Sequence, residues 1–137
     1  MLTPALDALR LFLHVLAASV WVGGQIVMLG MVPAARKISP DAPRTLARAF
    51  ARLSWPAYGL LVVTGVWNIF AESSVPHSTA WNVVLGVKLA VVALAGVSAL
   101  LHTRSTSKVG LAIWGSIAGV TSVAALFMGI LLAGSWS

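Results

Sequence analysis

The sequence predicts an all-α fold, an integral membrane four-helix bundle with both termini outside, and three observations support it. Hydrophobic residues make up 59% of the 137 residues and charged residues 9%, whereas a soluble domain carries about 25% charged residues. Four apolar windows follow one another, and the basic residues concentrate in two of the loops between them. This composition excludes soluble enzymes and nucleic-acid binders, and the absence of cysteine excludes disulfides and thiolate chemistry.

Each apolar window is long enough to cross a bilayer, since a helix of about 20 residues spans ~30 Å of hydrocarbon. With their flanks, the windows predict helices at about 8–33, 53–71, 79–102 and 109–134, in one transmembrane domain over residues 1–137. Pro56 is expected near the start of the second helix, where a missing N–H costs no hydrogen bond. Gly115 and Gly119 in the fourth helix have the spacing of a close helix contact.

The loop after the first helix is predicted to form a further, amphipathic helix at about 42–52. Arg44, Arg48 and Arg52 recur at intervals of four residues, which places them on one helix face. Asp41 stands where an N-cap residue is expected. The pattern favours an interfacial helix with its arginines on anionic lipid headgroups. A docking patch for a partner or an anionic ligand is the alternative.

Basic residues predict the orientation of the helices. Five lie in the first loop and two in the third, while the second loop has none and Arg10 precedes the first window. Because positively charged loops stay in the cytoplasm, loops one and three are predicted to be cytoplasmic, in a multi-pass protein of the cell (plasma) membrane. The seven loop residues are Arg36, Lys37, Arg44, Arg48, Arg52, Arg104 and Lys108.

Polar side chains share one face of the first helix. At 100° per residue, Trp21, Gln25 and Met28 fall within about 40° of His14. An ionisable group inside a membrane span is costly and marks a functional site. We therefore interpret His14 as a ligand or proton carrier, with Trp21 and Gln25 as cofactor contacts. A purely structural hydrogen-bond partner is the alternative.

Lys88, in the third helix, is the only charged side chain well inside any window. It lies about two turns, roughly 10 Å, from the helix start, and Trp81 and His102 share its face. Lys88 either extends to the outer headgroups or stays buried and binds a carboxylate or an anionic ligand. His102 is expected at the cytoplasmic end, where a histidine needs no functional explanation.

Several candidate site residues are expected at the same depth in the membrane. Helices one and three are expected to begin outside and helix four to end outside, so His14, Lys88 and Met128 fall in the outer half. Glu72 and His77 lie just above them, around the second loop. These positions predict an outer cluster of His14, Lys88 and Met128, with Glu72 and His77 at its mouth.

Short motifs in the first three helices resemble the copper-resistance D (CopD) family. They are Leu13-His14, Val20-Trp21-Val22-Gly23-Gly24, Arg48-x-Phe50-x-Arg52-Leu53-Ser54 and Val87-Lys88-Leu89. The resemblance covers about residues 11–104 and implies copper transport or homeostasis at the membrane. Cu(I) prefers imidazole and thioether ligands, so the implied metal ligands are His14, Met28, Met31, Met128 and His102.

His14, Trp21 and the Lys88-Leu89 pair also resemble the small four-helix HemJ-type membrane proteins. That resemblance implies a bound heme b and protoporphyrinogen oxidation, with His14 as axial ligand and Lys88 near carboxylates of the porphyrin. Under this interpretation the chain is a heme-dependent membrane oxidoreductase, whereas a copper-handling protein need not be an enzyme. The cofactor is therefore copper or heme b.

A third interpretation makes the chain an accessory subunit of a larger membrane complex, whose motifs serve packing alone. The expected partners are the lipid bilayer and either a second copy of this chain or a larger membrane complex.

Overall fold

The computed structural model describes residues 3–134 and is helical, with no β-strand in that part of the chain. Four helical segments are long and apolar enough to cross a membrane, which confirms the predicted all-α class. The helices are α1 (Thr3–Ala18), α2 (Gly24–Ile38), α3 (Ala42–Glu72), α4 (Thr79–Arg104) and α5 (Lys108–Gly134).

The helices form two compact units, which divide between Val75 and Pro76. Unit one contains α1, α2 and α3, and unit two contains α4 and α5. The single transmembrane domain expected over residues 1–137 stays a prediction, and residues 1–2 and 135–137 at its ends lie outside the described residues.

The first predicted helix is a continuous rod made of α1, a π-helical turn at Ser19–Gly23, and α2. The backbone remains helical on both sides of the turn, at Ala18 and Gly24. A π turn closes i→i+5 hydrogen bonds and is wider than an α-helical turn. The uniform spacing of 100° per residue, on which the predicted face of His14, Gln25 and Met28 depends, is therefore interrupted within the helix.

The predicted loop helix and second span form one uninterrupted helix, α3. Its first turn is capped by Ser39, whose Oγ accepts a hydrogen bond from the backbone N–H of Ala42 at 3.1 Å. Asp41 occupies the N-cap position, as expected, but its side chain makes no capping hydrogen bond. Pro56 lies inside the helix rather than near its start, since the polar segment before it is helical too.

In unit one, the first rod packs antiparallel against α3. His14 contacts Thr64, and Trp21, farther along the first rod, contacts Tyr58, which lies earlier in α3. Small side chains allow this close approach, with Ala17 almost completely buried. Residues on α1 and α3 whose numbers add up to about 78 therefore lie at the same level.

Unit two is an antiparallel pair whose buried residues are small. The buried side chains on α4 are Ala95 and Ser98, and those on α5 are Ala118, Ser122 and Ala125. A methyl group added at Gly115 would meet the ring of His102 at 3.0 Å, whereas one at Gly119 would meet nothing within 4 Å. Of the two glycines expected at a close contact, Gly115 alone makes one.

Large apolar side chains cover the outer faces of both units. Leu29 is 77% exposed, Phe70 72% and Val120 70%. Soluble monomers rarely expose apolar patches of more than a few hundred Å². The four apolar helices are compatible with a multi-pass membrane protein.

Candidate functional site

A hydrogen bond joins the central histidine of unit one to α3. Nδ1 of His14 lies 2.7 Å from Oγ1 of Thr64. The same hydroxyl donates its single hydrogen to the backbone carbonyl of Leu60 at 2.7 Å. With that hydrogen on the carbonyl, Oγ1 accepts from His14; this arrangement corresponds to the tautomer of the neutral ring with its proton on Nδ1 and its lone pair on Nε2.

The surroundings of this hydrogen bond fix the histidine ring in place. Thr64 is 1% exposed, and the ring of His14 is half-buried. A methyl group added at Gly65 would lie 3.7 Å from Cε1 of His14, at ordinary van der Waals distance. The imidazole thus lies against α3 with its Nδ1 edge anchored on a buried hydroxyl.

One turn before His14, α1 carries a buried arginine that the sequence analysis treated only as a charge. Arg10 is 5% exposed, and its NH2 group donates to Oδ1 of Asp7 at 3.2 Å. The signal for it in the sequence is the interval of four residues to His14, which places both on one helix face. Asn68 on α3 also lies four residues beyond Thr64.

About two turns from His14, on the side away from Arg10, three aromatic side chains pack together. The ring centroid of Trp21 lies 4.7 Å from that of Tyr58 and 5.5 Å from that of Trp55. Gln25 donates from Nε2 to the backbone carbonyl of Trp21 at 3.0 Å, which attaches the amide to the π-helical turn. Sequence reasoning missed Trp55, although its interval of three residues to Tyr58 puts the two rings on one face.

Methionine thioethers of unit one lie far from the histidine. Met28 is half-buried and Met31 exposed. Along the helix they are 14 and 17 residues from His14, a separation of about 20–25 Å by helix rise. They cannot bind the same ion as His14 within this unit.

In unit two, the side chain of Lys88 extends from α4 to the backbone of α5 at Gly129. A methyl group added at Gly129 would lie 3.0 Å from Nζ of Lys88, so the glycine provides the space for the ammonium group. Met128 is the neighbour of this glycine and is half-buried. Lys88 and Met128 therefore lie at the same level of unit two.

The other two histidines take part in the structure of unit two. Nδ1 of His102 donates to the carbonyl oxygen of Leu111 at 2.8 Å, which ties the end of α4 to the start of α5. His77 stacks on Trp81 with ring centroids 3.6 Å apart. Trp81 in turn donates from Nε1 to the carbonyl of Leu132 at 3.3 Å.

The predicted outer cluster draws on both units and stays a prediction. His14 and Glu72 belong to unit one, while His77, Lys88 and Met128 belong to unit two. Within residues 3–134, no three His, Cys, Asp or Glu side chains come together as a potential metal-binding group.

Searches for relatives find no matching protein family, no similar curated protein and no similar solved structure.

Proposed function

We propose that the chain is a multi-pass membrane protein that binds heme b, with His14 as an axial ligand of the iron. The observation that carries the proposal is the hydrogen bond between His14 and Thr64. Metal-ligating histidines almost always donate from the ring nitrogen that does not bind the metal. Thr64 accepts that proton at Nδ1, which sets the tautomer and directs the lone pair of Nε2.

Membrane insertion is part of this proposal. An α-helix of 26 residues, such as α4, is about 39 Å long, enough to cross a hydrocarbon core of ~30 Å. The exposed leucine, valine and phenylalanine side chains of both units would then face lipid. We place loops one and three in the cytoplasm and both termini outside, because seven of the nine Lys and Arg residues lie in the helix ends that flank those loops.

The spacing of the donor atoms favours heme over copper. A buried Cu(I) site needs two or three soft ligands that lie close together. In unit one, His14 is separated from Met28 by about 20 Å of helix. In unit two, His102 contacts Leu111, and Met128 lies 17 residues farther along α5. Heme, in contrast, needs only one well-oriented histidine and an apolar surface for the porphyrin.

The residues around His14 have separate tasks in this proposal. Thr64 holds the imidazole, and Gly65 lets the ring pack closely against α3. The exposed apolar side chains of α1 keep water from the ring of the porphyrin once the protein lies in lipid. Heme, when bound, supplies a one-electron couple at its iron.

Absorption spectroscopy of the purified full-length chain, supplied with hemin in detergent, tests the proposal. We expect a shifted Soret band at one heme per chain in the wild type, and loss of that band in His14→Ala. His102→Ala is the matched control, because this histidine bonds to a backbone carbonyl in unit two and should leave the band unchanged. No Soret shift in the wild type, or an unchanged band in His14→Ala, overturns the proposal. Copper content measured on the same samples tests the alternative.

A further inference from the structure

Two buried polar atoms in unit one have no hydrogen-bond partner within residues 3–134. One is Nε of Arg10, a donor, and the other is Oδ1 of Asn68, an acceptor. Arg10 is 95% buried, and its contact to Asp7 uses a different nitrogen, NH2. Buried polar groups in proteins are nearly always paired, so each exception requires an explanation.

The packing of α1 against α3 places these two groups at one level. Arg10 lies four residues before His14, and Asn68 lies four residues after Thr64. His14 bonds to Thr64, and the two helices are antiparallel. Moving from His14 back to Arg10 and from Thr64 on to Asn68 therefore goes the same way along the helix pair, by about 6 Å of helix rise. The residues of the unpaired donor and the unpaired acceptor therefore lie at about the same level of the helix pair, one turn from the histidine.

A carboxyl group is suited to this pair. Its carbonyl oxygen accepts from Nε of Arg10, and guanidinium groups recognise carboxylates with strong, charge-assisted hydrogen bonds. The amide of Asn68 accepts from a protonated carboxyl through Oδ1, and after rotation it donates to an ionised one through Nδ2. Asp7, whose side chain is 56% exposed, contacts the guanidinium from the outside and leaves its Nε edge unoccupied.

We propose that Arg10 and Asn68 bind a propionate carboxyl group of the porphyrin whose iron is bound by His14. This inference rests on the proposed heme-binding function and extends it to the orientation of the ligand. Arg10 precedes His14 on α1, so the propionate edge faces the N-terminal end of α1. The exposed apolar side chains of α1 would surround the porphyrin ring.

The test compares hemin with its dimethyl ester, in which both propionates are blocked while the iron and the ring are retained. Each ligand is titrated into the full-length protein in detergent, and the dissociation constants are taken from the Soret shift. We expect the wild type to bind the free acid at least tenfold more tightly than the ester. Arg10→Gln and Asn68→Leu should bring this ratio close to one, chiefly by weakening the binding of the acid.

Arg36→Gln is the matched control, since Arg36 is an exposed arginine at the end of α2 and should leave the ratio unchanged. Binding of the ester with a shifted Soret band shows that a variant is folded and that His14 binds iron. If Arg10→Gln does not fold by this criterion, Asn68→Leu decides.

The outcomes separate this inference from the function on which it rests. If neither ligand shifts the Soret band of the wild type, the heme proposal fails. If both ligands bind and the wild-type ratio is near one, or the ratio survives in the variants, heme binding stands and the carboxyl site is wrong. Equal weakening of acid and ester in the variants also overturns it, because that pattern indicates a structural role or a lipid phosphate at Arg10.

Discussion

Thr64 orients the imidazole ring of His14 through the hydrogen bond at Nδ1. A carboxylate partner would draw the Nδ1 proton strongly and make the imidazole a more basic ligand, whereas a threonine hydroxyl is neutral. The hydroxyl also passes its own hydrogen to the carbonyl of Leu60, so the chain of bonds ends on the backbone. The ring is thus oriented without a second charge being placed inside the helix pair.

Replacement of Thr64 by valine should weaken heme binding by about 10–100-fold, the usual effect of losing an outer hydrogen bond to a ligating histidine. Valine keeps the branched shape at Cβ and removes the acceptor. The dissociation constant from hemin titration is the measurement. Thr121→Val is the control, because the hydroxyl of Thr121 bonds to its own helix backbone in α5. Equal affinities of wild type and Thr64→Val would contradict the role assigned to Thr64.

At the residue level, the sequence predicts His14 as a candidate site residue, whereas it does not indicate that Arg10 is buried. A histidine inside an apolar window stands out, because hydrocarbon penalises it. Arg10 lies at the edge of its window, where a charged residue is ordinary and water is expected. Its burial follows from the packing of α1 on α3, which depends on partners more than 50 residues away in the sequence.

At the level of elements, the contact between α2 and α3 depends on one glycine. The ring of Phe50 on α3 occupies the position that a side chain at Gly24 would need. Gly23, its neighbour, has nothing within 4 Å of the same position. Two adjacent glycines in one motif thus have different tasks, and only Gly24 is required for packing.

Gly24→Ala should therefore destabilise the protein by about 1–3 kcal/mol, the usual cost of overpacking, while Gly23→Ala should have a much smaller effect. The measurement is thermal unfolding in detergent, followed by circular dichroism. Phe50→Leu, combined with Gly24→Ala, should recover part of the loss, since the smaller side chain gives way. Identical melting temperatures for the two alanine variants would refute the assigned contact.

The number and approximate bounds of the long helices could be predicted, but not their continuity. Polarity changes sharply at Arg52 and Leu53, so hydropathy separates a loop helix from a span there. A helix ends where its backbone hydrogen bonds end, however, and no breaker stands at this point. The π-helical turn could not be predicted either, because no residue type is characteristic of its i→i+5 hydrogen bonds.

For the molecule as a whole, each unit has all but one of its basic residues near one end of a helical hairpin, the exceptions being Arg10 and Lys88. In unit one the others flank the turn between α2 and α3, and in unit two Arg104 and Lys108 flank the turn between α4 and α5. If both ends face the cytoplasm, the connection at Ser73–Ser78 faces outward. Two separate groups of basic residues therefore predict the same orientation.

The absence of native cysteine allows a direct test of this orientation. Single variants Ser74→Cys and Thr106→Cys are treated in intact cells with a membrane-impermeant maleimide. Labelling is expected for Ser74→Cys alone, and for both variants once the cells are permeabilised. Labelling of Thr106→Cys in intact cells, with Ser74→Cys protected, would show the opposite orientation.

The π-helical turn at Ser19–Gly23 has a consequence for insertions and deletions. Such a turn accommodates one residue more than an α-helical turn, so deletion of a single residue there would restore a regular α-helix. If the undeleted residues formed a uniform α-helix instead, everything beyond the turn would be rotated by about 100° around the helix axis. Gly24 would then no longer face Phe50, while His14 kept its place against Thr64. The turn thus corrects the rotation between α1 and α2, so that both halves of the rod pack against α3.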